Sequence, residues 1–136
     1  MIETQSNGAT EKVYLDADIT NRIIGCAIDV HNALGPGLLE SVYESCLAFE
    51  LTKAGFKVER QRSLPVVYKG IAFDEGFRID LLVEDKIIVE LKCVEKVLPV
   101  HEAQIYTYLK LSGKKTGLLI NFFTKVLKDG LKRIAC

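Results

Sequence analysis

Asp80, Glu90 and Lys92 are charged residues set inside two runs that otherwise have the composition of buried strand. The runs are Phe77 to Val83 and Ile87 to Cys93, joined by the charged tip Glu84-Asp85-Lys86, a pattern that predicts a β-hairpin. Burying a charge is costly unless it is paired or bound to a metal. Two carboxylates and an ammonium therefore need a compensating partner, and a divalent cation facing phosphate is the sharpest candidate.

Register decides whether the three groups can meet. Phe77, Ile79, Leu81 and Val83 are expected on one face of the first strand, with Ile87, Val89, Leu91 and Cys93 on one face of the second. The two apolar faces coincide only if paired residue numbers add to an even sum, because a one-residue slip turns one strand over. The simplest such pairing sets Val83 against Ile87, Leu82 against Ile88, Leu81 against Val89 and Asp80 against Glu90. Directly opposed Cβ atoms lie roughly 4.5–5.5 Å apart, and Lys92 shares the face of Glu90. Two carboxylates at that distance repel, which raises the pKa of one unless a cation intervenes. A polar sheet face satisfied by local ion pairs is the plainer alternative.

The elements that must position these residues are read from periodicity and breakers. Ile19, Ile23, Ala27, Val30 and Leu34 recur at helical spacing, with Asp18 placed to cap the start. Gly35-Pro36-Gly37 ends that helix, and a second helix is expected from about Leu38 to Ala54, with Val42, Cys46, Leu47 and Leu51 on its apolar side. Phe56–Glu59, Leu64–Tyr68, Ile71–Val83 and Ile87–Cys93 are expected strands. A helix over about Val100–Leu111, a buried strand over Gly117–Phe122 and an edge strand at Leu131–Ile134 follow. This order predicts one α/β domain, a mixed central β-sheet flanked by helices, over residues 18–136, preceded by a flexible leader over 1–17.

The 136 residues suffice for one hydrophobic core, and the zero formal net charge provides no global field toward nucleic acid. A role on nucleic acid then needs a metal or a local basic surface. Lys110, Lys114, Lys115, Lys125, Lys128, Lys132 and Arg133 make the last third locally basic, although a solvated surface is the plainer reading of them. Cys26, Cys46, Cys93 and Cys136 form no CxxC pair, which suits free thiols in a reducing cytoplasm. No run reaches membrane-spanning length, and no apolar signal core opens the chain.

An Asp followed ten residues later by Glu-x-Lys, on a hairpin after a helix, resembles the PD-(D/E)XK nuclease superfamily. The likeness is closer to its small GxxExxY family, whose motif stands here as Gly37-Leu38-Leu39-Glu40-Ser41-Val42-Tyr43. Val30 to Glu40, Ile79 to Val83, Val89 to Lys92 and Leu118 to Phe122 also look like that family, so the resemblance runs from about Ile19 to Ile134. Ile79 stands where the nominal motif has Pro, a position that contributes no ligand.

The resemblance implies a restriction-endonuclease-like core and a Mg²⁺ or Mn²⁺ site built from Asp80, Glu90 and the Leu91 carbonyl, with Glu40 as a further acid and Glu44 as its rival one turn on. Lys92 is implied to orient or deprotonate a water, or to stabilise charge on the phosphate. Gln104 to Tyr108 matches a QxxxY helix motif of the superfamily, which implies that Gln104 helps to position that water. Tyr43, Tyr108 and His101 are candidates for substrate contact, and His31 reads as structural. The expected function is metal-dependent hydrolysis of DNA or RNA. The alternatives are a non-catalytic nucleic-acid-binding or protein-interaction module that keeps the fold, and a purely structural or oligomer-forming domain. A homodimer is left open.

Overall fold

The computed structural model describes residues 16–136. The expected leader lies outside the described residues except for its last two positions. There, Ala17 already opens helix α1 (Ala17–Leu34). Asp16, not Asp18, occupies the cap position; its carboxylate is turned away to accept Thr116 Oγ1 at 2.9 Å. Helix α2 (Glu40–Lys53) follows the Gly-Pro-Gly break. Strands β1 (Val58–Tyr68), β2 (Ile71–Val83) and β3 (Ile87–Lys92) come next, then helix α3 (Pro99–Ser112), β4 (Thr116–Asn121), a short 3-10 turn and β5 (Leu131–Ala135).

The five strands form one mixed sheet in the order β1-β2-β3-β4-β5. Only β3 and β4 run parallel, which is why a helix, α3, must carry the chain between them. Helices α1 and α2 cover one face. Ile23, Ala27, Val30, Tyr43, Leu47 and Leu51 pack there on Leu81, Val83, Val89 and Leu91. Helix α3 covers the other face, where Ile105, Tyr108 and Leu109 meet Ile79, Leu82, Ile88 and Leu119. On the first face Val42 and Leu34, expected inside, are exposed.

Two strand expectations change. The expected strand at Phe56–Glu59 begins only at Val58, and it continues through Leu64–Tyr68 as one edge strand, because the polar Arg60-Gln61-Arg62-Ser63 between them also pairs with β2 or lies in register with it. Along β2, Leu81 and Val83 face α1 and α2, whereas Phe77 and Ile79 pack toward α3. Strict alternation would put all four on one face, so the strand turns over between Ile79 and Leu81. The residue between them is Asp80.

Candidate functional site

The hairpin register is the one the apolar pattern predicts: Val83 opposes Ile87, Leu82 opposes Ile88 and Leu81 opposes Val89. The ladder stops there, one pair short of Asp80 and Glu90. On the β1 side the pairing also skips Gln61 and Asp80, between Arg60↔Leu81 and Arg62↔Ile79. Asp80 is thus missing from both ladders of its own strand. Its backbone N–H donates instead to Glu90 Oε2 at 2.8 Å, and the Leu91 N–H donates to Asp80 Oδ2 at 2.9 Å. Side-chain carboxylates replace backbone partners where the strands part.

Electrostatically this is a strained group of acids. Glu90 is only 5% exposed. Burial, then the Asp80 charge beside it, pushes its carboxyl up to about 8. Burial also raises Asp80, more than its bond from Leu91 lowers it, with Glu44 adding to the rise. Glu40, the first residue of α2, is raised by burial and then by Asp80, while Lys92 pulls it down. The charges of Asp80, Lys92 and Glu40 thus all act on Glu90.

A glutamine that the motif reading passed over bridges the acids. Gln61 Nε2 donates to Glu44 Oε1 at 2.7 Å and to Asp80 Oδ1 at 3.3 Å. Its backbone has φ 51, a left-handed conformation inside a strand, which costs about 1–3 kcal/mol and persists only where surroundings hold it. Arg60 Nε donates to Glu44 Oε2 at 3.2 Å. Both oxygens of buried Glu44 thus accept hydrogen bonds, whereas Glu40 stands exposed at the start of α2. Only the left-handed turn distinguishes Gln61, and a glutamine in a polar run carries no signal of it.

The remaining expected residues divide. Tyr108 lies under the acids: burial, then the charges of Glu90 and Asp80, push its hydroxyl up to about 12, while a hydrogen bond from Gln104 opposes the rise. Its ring stacks on Phe77 with centroids 4.0 Å apart. Gln104 is exposed at the rim. Tyr43 does not face a substrate. It is 0% exposed, stacks on Phe122 with centroids 4.4 Å apart, and donates its hydroxyl to the Gly35 carbonyl. That hydroxyl also accepts the N–H groups of Gly37 and Leu38 at 3.0 and 3.1 Å, so it ties down the turn from which Glu40 emerges. His101 is half-buried, and its Nδ1 accepts the Leu98 N–H at 3.0 Å and caps α3. At the end of α1, His31 Nε2 donates to the Thr124 carbonyl at 2.7 Å.

The basic residues of the last third do not converge on the acids as a group. Lys114 pairs with Asp85 at 3.2 Å, Lys132 with Glu102 at 3.6 Å, and Arg133 donates to Thr20 and Asn21. The four cysteines are free, and among the described residues no helix is long and apolar enough to cross a membrane.

A family model described as the PD-(D/E)XK nuclease superfamily matches residues 17–134. The chain belongs to the PD-(D/E)XK nuclease superfamily. Neither a curated protein nor a solved structure matches it. Nucleases of this superfamily generally use divalent metals such as Mg²⁺, and the donor chemistry here can be tested against that. Among the described residues no three His, Cys, Asp or Glu side chains converge closely enough to cage an ion by themselves. Mg²⁺ does not need such a cage, since it keeps several waters and binds through one or two carboxylates plus substrate phosphate. Asp80 and Glu90 provide that pair. The Leu91 carbonyl is a third oxygen: Lys92 O accepts from Phe122 N on the β4 side, so alternation turns Leu91 toward the gap beside β2. The residues present fit a hard divalent cation.

Proposed function

We propose that this chain is a metal-dependent nuclease of the GxxExxY kind, hydrolysing phosphodiester bonds of DNA or RNA in the cytoplasm. The observation that carries the reading is the double break at Asp80, which gathers Asp80, Glu90 and Lys92 where the β-ladders end. Asp80, Glu90 and the Leu91 carbonyl would hold Mg²⁺ or Mn²⁺, with Glu40 approaching from the start of α2. The cation, when bound, supplies charge neutralisation at phosphate and an acidified water.

Lys92 lies on the same strand, two residues beyond Glu90 and outside the buried core. From there its ammonium can orient the attacking water or donate to a phosphate oxygen as charge builds there. Gln104 and Tyr108, joined by a hydrogen bond, form the α3 wall beside the acids. Gln61 holds Asp80 in its aim, and Tyr43 holds the turn that delivers Glu40.

The test is cleavage of single- and double-stranded DNA and RNA by the purified protein with Mg²⁺ or Mn²⁺. Cleavage is expected, with Asp80→Ala inactive and Lys92→Ala reduced by about 10²–10³-fold, as for loss of a donor to developing charge. Turnover that survives both substitutions refutes the mechanism. The absence of a three-residue cage among the described residues favours a second reading, a binding module that retains the fold. That reading predicts nucleic-acid binding unaffected by Asp80→Ala and no cleavage with any metal.

A further inference from the structure

The hairpin of β1 and β2 extends well beyond the sheet. Strand β3 pairs with β2 only from Leu81 to Val83, so from Ile71 to Asp80 the β2 edge away from β1 meets no strand among the described residues. Residues 64–77 form a two-stranded arm, a unit marginally stable in water by itself. Its outer part is nevertheless apolar: Tyr68 is 61% exposed and Ile71 60%, with Val67 and Phe73 also exposed. A long, open, apolar edge is a template for pairing with another chain.

We infer that the arm pairs with the arm of a second copy of this chain, β2 against β2 in antiparallel fashion, about a two-fold axis at Ala72. The β1 edge is the poorer candidate, since Pro65 lacks an N–H; the irregularity beside it lies on β2, where Asp74, Glu75 and Gly76 together oppose Pro65, so the regular part of the β2 edge is Ile71–Phe73. The β2 edge is regular near the tip. Tyr68 and Ile71 flank the two-residue turn Lys69-Gly70, both with positive φ at 50 and 81. Such a turn is closed by a pair that exchanges both backbone bonds, so alternation directs the N–H and C=O of Ala72 outward.

Register follows from side chains. Ile71 and Phe73 share one face, and in a two-fold pairing they oppose each other only if paired numbers add to 144. Ala72 then meets Ala72 of the second copy and Ile71 meets its Phe73. Beyond these pairs strand register does not apply, since Lys69 is in the turn and Asp74 and Glu75 are in the bulge, but the two-fold sets the Lys69 turn of each copy toward the Asp74-Glu75 bulge of the other. Lys69, Asp74 and Glu75 are the only charges of the arm, and the two-fold matches them twice. Such self-complementarity is what an isologous contact requires. Two acids against one lysine make the arm a poor surface for nucleic acid. The inference stands whether or not the acids cleave phosphodiesters.

Light scattering on the eluting protein should give twice the 15.2 kDa of one chain at micromolar concentration, falling on dilution. Phe73→Lys, at an exposed position, should give the single-chain mass with an unchanged far-ultraviolet spectrum. Adding Ile71→Glu should restore the dimer, because the new charges oppose each other across the axis. In a Cys136→Ser background, Ala72→Cys should form an intermolecular disulfide under mild oxidation, whereas Val67→Cys should not. A single-chain mass at every concentration overturns the inference. So does a dimer indifferent to Phe73→Lys, or cross-linking at Val67 in preference to Ala72.

Discussion

The backbone N–H of Asp80 donates to the carboxylate of Glu90 at 2.8 Å, at a residue that both ladders of β2 omit. The acid that would hold a cation is therefore also the acceptor that completes the strand. Glu90 has a structural duty and a chemical one, and variants can separate them.

The first separation is by pH. Folded Glu90 keeps its proton up to about 8, against 4.5 ordinarily, so between those values the native state binds more protons than the unfolded chain. Stability is then fully present below about pH 4.5 and falls as pH rises through about 8, by an amount on the order of a few kcal/mol. Asp80 and Glu40 are shifted in the same direction. Urea denaturation with a chelator present should give a lower midpoint at about pH 9 than at about pH 5. Glu90→Gln, which keeps an acceptor oxygen and removes the charge, should flatten that slope. A midpoint that climbs with pH would contradict the assignment.

Metal should act oppositely. Mg²⁺ or Mn²⁺ binding only the native state stabilises it, by about 2.7 kcal/mol at a hundredfold excess over Kd. Protons compete for the same oxygens, so the rise in Tm should be larger at alkaline pH. Differential scanning fluorimetry of wild type and Asp80→Asn checks this: a shift in the first and none in the second. Equal shifts would place the ion elsewhere.

Gln61→Ala removes the bridge between Glu44 and Asp80 while leaving every proposed ligand in place. Loss of such a supporting bond costs about 10–100-fold in activity or metal affinity, read as initial rate and as the metal concentration for half-maximal rate. Gln61→Gly should lose the same activity yet be more stable than Gln61→Ala, because glycine accepts φ 51 without strain. Full activity in both variants would leave Gln61 without a role.

Tyr43→Phe keeps the stack on Phe122 and deletes three hydrogen bonds to the Gly35–Leu38 turn. Buried groups left without partners cost about 1–3 kcal/mol, measurable as a lower urea midpoint. Nuclease activity should fall as well, since Glu40 leaves that turn. A loss of activity at unchanged stability would mean that the hydroxyl meets substrate after all.

Much of this was legible in the residues. The period of two in Leu81–Val83 and Ile87–Val89 set the hairpin register, because only one parity buries both strands. The same parity misplaced Phe77 and Ile79, since alternation assumes an unbroken strand and Asp80 interrupts it. Arg60 to Ser63 read as a gap because an edge strand open to solvent need not carry apolar residues. The motif spacing of Tyr43 put it beside Glu40, but only the three-dimensional turn shows the hydroxyl pointing back to Gly35. Gln61 gave no warning, since a left-handed backbone at a glutamine is imposed by neighbours and not by its own preference.

The hairpin bearing Asp80 and Glu90 closes over a three-residue tip, whereas β3 meets β4 only after α3 has been laid across the sheet. Local contacts form early and distant ones late. The two acids are therefore expected to come together while still wet and to lose their water as α3 docks, which would place their dehydration late in folding. Refolding in stopped flow should accordingly quicken when protons, or a divalent ion, neutralise the pair before the helix settles.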